Sequence, residues 1–283
     1  MLDEQIATVL VTVKTYPSPS DKYGETVCVA GVRLDRGAPE WIRLYPMRFR
    51  LVDYDQQFTK YEVIQIPVAS QGSKDPRPES MRPDQTRLRS VRKISTQRNW
   101  AERRQLIGPL IGATTTCDLI AANEAVDYSQ SAASLGLIKV QDVHVTVADG
   151  EPWEPRQLDN AFRAAQPDLF NPEGFRELQP APFQVKVKYR CQARECAGHA
   201  PKMLDWETGQ AGRKWLREHG SGEAKRMLRD KYESLFGEDK DAHLYIGNLH
   251  KYRSSFSALG VWSPKLEPPD PYEGDLFSQA YVT

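Results

Sequence analysis

Apolar and polar positions alternate in short runs through the first third of the chain. Residues 5–14, 25–34, 39–45 and 60–69 are rich in β-branched and aromatic side chains, separated by turn signals such as Pro17-Ser18-Pro19-Ser20 and Arg36-Gly37-Ala38-Pro39. Short strands without helical periods between them predict a small barrel or sandwich rather than a parallel sheet. The proline-punctuated run over 72–79 predicts a polar loop. Leu106, Ile107, Leu110 and Ile111 fall on one face of a helix expected over 100–111, and strand character returns over 136–148.

The stretch from Trp153 to Pro182 is irregular apart from a short helix expected over 155–165. A strictly alternating strand follows over 183–190 and delivers the chain to Cys191. A helical region spans 209–236, broken near His219-Gly220-Ser221-Gly222, and strands over 242–249 and 255–262 form a hairpin. The expected fold is α+β: an N-terminal OB-like antiparallel β-barrel region, then a mixed α/β region with a Cys/Cys/His zinc loop. The expected division is 1–150 for an OB-like, nucleic-acid-binding region, 151–265 for a zinc-bearing region and 266–283 for a mobile acidic tail.

Composition narrows the class. Apolar residues make up 40% of the 283 and charged residues 27%, the profile of a folded globular chain. No apolar run is long enough to span a membrane. Asp3 and Glu4 open the chain where a secretory leader carries basic residues, and Cys28, Cys117, Cys191 and Cys196 are too few for a secreted disulfide scaffold. The expected location is the cytoplasm. Net charge is zero, yet between Arg33 and Arg104 there are 16 Lys/Arg against 9 Asp/Glu. Such a surplus is the footprint of a phosphate backbone, or a solvated face laced with ion pairs.

Aromatic and arginine residues interleave over 41–50. Strand alternation puts Trp41, Arg43 and Tyr45 on one face, a surface able to stack bases and clamp phosphates; inward-facing barrel aromatics are the alternative. Arg48, Arg50 and, from the stiffened loop Asp75-Pro76-Arg77-Pro78-Glu79, Arg77 complete the expected nucleic-acid contacts, DNA first and RNA as the alternative.

The most informative segment is Cys191-Gln192-Ala193-Arg194-Glu195-Cys196-Ala197-Gly198-His199. Two thiolates and an imidazole on one short loop leaving a strand can curl around a single point, which suits tetrahedral Zn²⁺. The fourth ligand is not local; His250 on the hairpin is the first candidate, with His219, His243, Asp205 and Glu207 behind it. If three protein ligands leave a position to water, the metal can make a nucleophile, with Asp205 or Glu207 moving protons. If His250 closes the shell, the site is structural. Cys117 lies in apolar surroundings and reads as a buried thiol.

The segments Glu25-Thr26-Val27-Cys28-Val29-Ala30-Gly31 and Trp41-Ile42-Arg43-Leu44-Tyr45-Pro46 give the first 70 or so residues a resemblance to the opening of dual-OB-domain proteins of phage-defence and 7-deazaguanine DNA-modification gene clusters. The resemblance implies a DNA-directed protein working beside the other proteins of such a system. By analogy with a member of those pathways that hydrates a base-borne nitrile, it implies a zinc-dependent hydrolytic modification of a nucleobase. The rival expectation is a non-catalytic OB-fold module with a structural zinc.

Overall fold

The computed structural model describes residues 4–48, 50, 57–167 and 172–267. The acidic tail expected over 266–283 lies, from residue 268 on, outside the described residues. Strands β1 (Gln5–Lys14), β2 (Ser18–Ser20), β3 (Gly24–Arg33), β4 (Glu40–Met47), β5 (Glu62–Ser70), β6 (Ser80–Pro83) and β7 (Arg89–Lys93) build the first sheet. Its order β1-β3-β4-β6-β5 returns to β1, so five strands close into a barrel; β2 hangs on β3, and β7 lies along β5. The barrel is OB-like, but not wholly antiparallel: β4 and β6 run parallel.

Strand alternation sorts the side chains into two cores. Val9, Val11, Val27, Val29, Ile42, Leu44, Ile64 and Ile66 fill the barrel. Leu10, Val13, Ala30, Val32 and Val63 point outward, yet are equally buried, because a second layer covers them with Leu135, Leu137, Tyr245, Leu259 and Trp262. Burial on both faces explains why β1 reads as a nearly unbroken apolar run. Each buried Val, Leu or Ile among them contributes roughly 1.5–3 kcal/mol of transfer free energy.

The second sheet is antiparallel, in the order β11-β10-β8-β9, from β8 (Leu135–Asp149), β9 (Phe183–Cys191), β10 (His243–Leu249) and β11 (Tyr252–Trp262). Among the described residues four α-helices accompany the sheets: α1 (Gln97–Ile107), α2 (Thr116–Glu124), α3 (Pro155–Ala165) and α4 (Trp206–Leu235). Gly220 interrupts α4 with φ 78°, where the sequence expects a break. The apolar face of α4, with Ala224, Leu228 and Tyr232, packs on Val185, Val187 and Tyr189 of β9. Among the described residues no helix is long and apolar enough to cross a membrane.

Candidate metal centre

Strand β9 sends Phe183, Val185, Val187, Tyr189 and Cys191 inward and its intervening residues outward. Cys191, its last inward residue, is fully buried. Beyond it a turn closes through the Cys196 amide, which donates to the Ala193 carbonyl at 3.2 Å. The chain then doubles back beside β9. His199 and Tyr189 exchange backbone hydrogen bonds of 2.8 and 2.9 Å, and the Val187 amide donates to the Pro201 carbonyl. Gly198 makes this return possible at φ 100°, a conformation that costs glycine little.

The fourth member of the group comes from α2. Thr115 caps that helix and Asp118 completes a capping box, satisfying the first exposed amides. Cys117 thereby sits in the first turn of α2. A 2.7 Å hydrogen bond between the Thr116 and Tyr189 hydroxyls fastens the start of α2 to β9. The result is a group of Cys117, Cys191, Cys196 and His199, whose ligand atoms all lie within 4.8 Å of one another.

The separations suit a tetrahedral ion. Cys191 Sγ is 3.6 Å from Cys117 Sγ and 3.7 Å from His199 Nε2, which lies 3.5 Å from Cys117 Sγ and 3.3 Å from Cys196 Sγ. Zinc bonds of about 2.3 Å to sulfur and about 2.0 Å to nitrogen demand tetrahedral edges of about 3.8 Å between sulfurs and about 3.5 Å from sulfur to nitrogen. Three thiols and an imidazole are also the donors that borderline-soft Zn²⁺ prefers. Burial and the nearby Cys191 and Cys196 push the Cys117 thiol up to about 12. Burial opposes ionisation of Cys191 as well, but hydrogen bonds from Ala193, Cys117, His199 and Cys196 hold its thiolate and lower it to about 6. A divalent cation at the centre would resolve the competition by stabilising every thiolate together.

The structure corrects the fourth-ligand expectation. His250 lies at the β10–β11 turn with Nδ1 3.7 Å from Asp75 Oδ1 and its ring edge-on to Tyr128, outside the four-membered group. The turn end of that hairpin meets the barrel loop, where the Asn248 carbonyl accepts from Arg77 at 2.9 Å. His243 and His219 also stand apart, the first beside Asp241 and the second beside Glu218. The signal for Cys117 is the Thr115-x-x-Asp118 capping box, which marks a helix N-terminus just where the thiol falls.

Asp205 and Glu207 are not in the group either. Asp205 is buried, caps α4 and binds Lys60 of the barrel at 2.8 Å, while the exposed Glu207 reaches the same ammonium at 3.3 Å. Burial disfavours the charge on Lys60, but these two carboxylates overcome it and raise its pKa. Their geometry serves the junction between α4 and the barrel.

The expected nucleic-acid residues divide by exposure. Trp41, Arg43 and Tyr45 share the outer face of β4, but the second sheet covers most of it. Trp41 packs edge-on against Tyr245. Arg43 is buried and donates to the Ser134 carbonyl and hydroxyl at 3.2 and 2.9 Å and to Cys28 Sγ at 3.0 Å. Arg77 is buried too, forked onto Asp75 at 2.8 and 2.7 Å and bonded to the Asn248 carbonyl. Neither guanidinium is free for phosphate, so both are corrected to junction residues. Arg50 pairs with Glu25 at 2.8 Å. Tyr45 and Arg48 remain exposed.

No curated protein matches the chain. Among solved structures, the HINa domain of Ifi202 in complex with 20-base-pair double-stranded DNA is similar at 10% identity and a TM-score of 0.31, covering 94% of this chain and 99% of that one. A murine DNA-binding protein bound with double-stranded DNA is similar at 8% identity and a TM-score of 0.27, covering 95% of this chain and 99% of that one. At these scores the likenesses place no constraint on the partners of this chain. The model of a domain of unknown function, DUF8758, matches residues 5–109, which hold the barrel. A second, DUF8757, matches residues 112–280, the larger part of the chain and the part that carries all four members of the Cys/Cys/Cys/His group. By that match the chain belongs to the DUF8757 family of domains of unknown function.

Proposed function

We propose that this chain is a non-catalytic nucleic-acid-binding module in which the OB-like barrel meets the nucleic acid and the Cys117/Cys191/Cys196/His199 group holds a structural zinc. The observation that carries the reading is the fourth protein donor, Cys117. A catalytic zinc keeps a coordination position for water, whereas four protein donors at tetrahedral separations close the shell. The carboxylates that a hydrolytic step would require are tied to Lys60. A hydrolytic modification of a base at this metal is therefore no part of the proposal.

The nucleic-acid half rests on fold-level analogy with OB barrels and on the cations that folding leaves outside. Lys22, Arg48, Arg82, Arg89 and Lys93 are exposed on the barrel unit, after ion pairs have absorbed Arg33, Arg50 and Arg77. The resemblance of the first 70 residues extends the proposal to DNA as the partner, in the setting of a DNA-modification or defence system.

The test is fluorescence anisotropy of labelled oligonucleotides, DNA and RNA, titrated with the full zinc-loaded chain. Affinity is expected to fall by an order of magnitude or more between about 50 and about 200 mM salt, as released counterions dictate. Salt-independent association, or none with either polymer, contradicts the reading.

A further inference from the structure

Resting on the nucleic-acid reading above, we infer that a cavity beside the β2–β3 turn seats one unpaired nucleotide of a single strand, its base against Tyr23 and Phe175 and its phosphates against Lys22, Arg48 and Arg163. The cavity measures about 300 Å³, and among the described residues three cationic side chains and no carboxylate line it. That volume is at the small end of ligand pockets, which run from about 300 to about 1,000 Å³. Cations that track a backbone, combined with aromatic faces that take a base, are what single-strand binding demands.

The walls are positioned by contacts to α3 and within the turn. Asp21 accepts hydrogen bonds from Arg156 and from Asn160, so the turn carrying Lys22 and Tyr23 is pinned to α3. The Tyr23 amide donates to Ser20 Oγ at 3.3 Å, and Lys22 Nζ lies 5.2 Å above the Tyr23 ring. On the opposite wall the Phe175 amide donates to the Ala165 carbonyl at 3.0 Å. Gly174 allows this approach at φ 69°, since a Cβ there would stand 2.5 Å from the same carbonyl oxygen. Arg163 is shared with Asp159 at 3.0 Å, which leaves Lys22 and Arg48 as the principal phosphate contacts. The larger cavity between Arg33 and Pro109 lacks this character. Its Arg33 is held by Asp35 and its Arg92 by Glu102, and no aromatic ring lines it.

The experiment compares a fluorescein-labelled single-stranded oligodeoxynucleotide with its duplex, using the full chain and variants whose folding is checked by thermal melting. The single strand is expected to bind more tightly than the duplex. Lys22→Ala with Arg48→Ala should weaken single-strand binding and flatten the slope of log affinity against log salt by about 1.4, two contacts at about 0.7 each. Tyr23→Leu should lose about tenfold in affinity with the salt slope unchanged, as removal of one stacking platform predicts. Tyr23→Phe keeps the ring and should bind as the parent does; if Tyr23→Leu fails to fold, Phe175→Leu reports on the same stack. Arg89→Ala with Lys93→Ala, on the far barrel edge, should leave the aromatic dependence intact. If the strand binds but ignores the Lys22/Arg48 change, the cavity is overturned and the nucleic-acid reading stands. Equal binding of duplex and single strand, insensitive to Tyr23 and Phe175, overturns the base seat. If the unmodified chain binds neither polymer, both readings fall.

Discussion

The Sγ atoms of Cys117 and Cys191 lie 3.6 Å apart although 74 residues separate them in the chain. One stands in the first turn of α2 and the other at the end of β9, so a metal held by both ties helix to sheet. Cys117→Ser is expected to abolish tight zinc retention as surely as Cys196→Ser does. Chelation of the unmodified protein should lower its melting temperature, because metal binding free energy is folding free energy. Metal analysis with calorimetry checks both statements. Full zinc retention in Cys117→Ser would leave Cys117 outside the shell.

Zinc affinity should fall as pH falls. Burial and the neighbouring thiols push the Cys117 thiol up to about 12, so thiolate ligation by Cys117 releases its proton. At least one proton is therefore released, and a competition titration should show affinity falling by about tenfold or more for each pH unit below neutrality. A pH-independent affinity contradicts thiolate ligation by Cys117.

The buried arginines make a different prediction. Arg43 meets Ser134, which also donates its amide to Glu79 at 2.8 Å, and Arg77 joins Asp75 to Asn248. Arg77→Ala should destabilise the protein by about 3–5 kcal/mol, since it orphans the buried Asp75 carboxylate, and Arg43→Ala by about 1–3 kcal/mol, since it leaves neutral buried groups of Ser134 without their donor. Denaturant unfolding measures this. Lost nucleic-acid affinity without lost stability would return these residues to the binding surface.

These two arginines mark where sequence reading stops. Alternation along β4 correctly places Trp41, Arg43 and Tyr45 on one face, but only the tertiary fold shows that the second sheet covers it. Much else was legible. The helix over 155–165, the break in α4 near Gly220, the alternating strand into Cys191 and the hairpin after residue 242 follow from local periodicity and turn chemistry. The three loop members of the group were legible because nine consecutive residues contain them. Cys117 was not, since closure of a shell across 74 residues leaves no periodic trace, and α2 is short and weakly amphipathic. Its capping box was the available signal.

Asp205→Asn should keep the α4 cap, because asparagine serves there as well, but it removes one of two carboxylates from buried Lys60. Glu207 still holds that ammonium at 3.3 Å, so the loss should be smaller than the about 3–5 kcal/mol of an orphaned buried charge. Zinc content should not change. Zinc loss in this variant, read by metal analysis, would place Asp205 at the metal after all.

Lys14 supplies a pH signature. Burial, opposed by Glu207 and reinforced by Lys60, lowers its pKa from 10.5 to about 8. The unfolded chain then binds more protons than the folded one between those values, so stability rises with pH across about 8 to 10.5. At neutral pH the buried ammonium costs roughly 3 kcal/mol. Lys14→Met should raise the denaturation midpoint at pH 7 and flatten the alkaline rise. An unchanged midpoint and pH profile would contradict a depressed Lys14.

X-ray absorption at the zinc edge of the full chain tests the structural-metal reading most directly. Three sulfurs at about 2.3 Å and one imidazole nitrogen at about 2.0 Å, with no further oxygen, is the expected shell. A shell with two sulfurs, or with a water oxygen in a fourth position, would contradict the closed site and reopen catalysis at the metal.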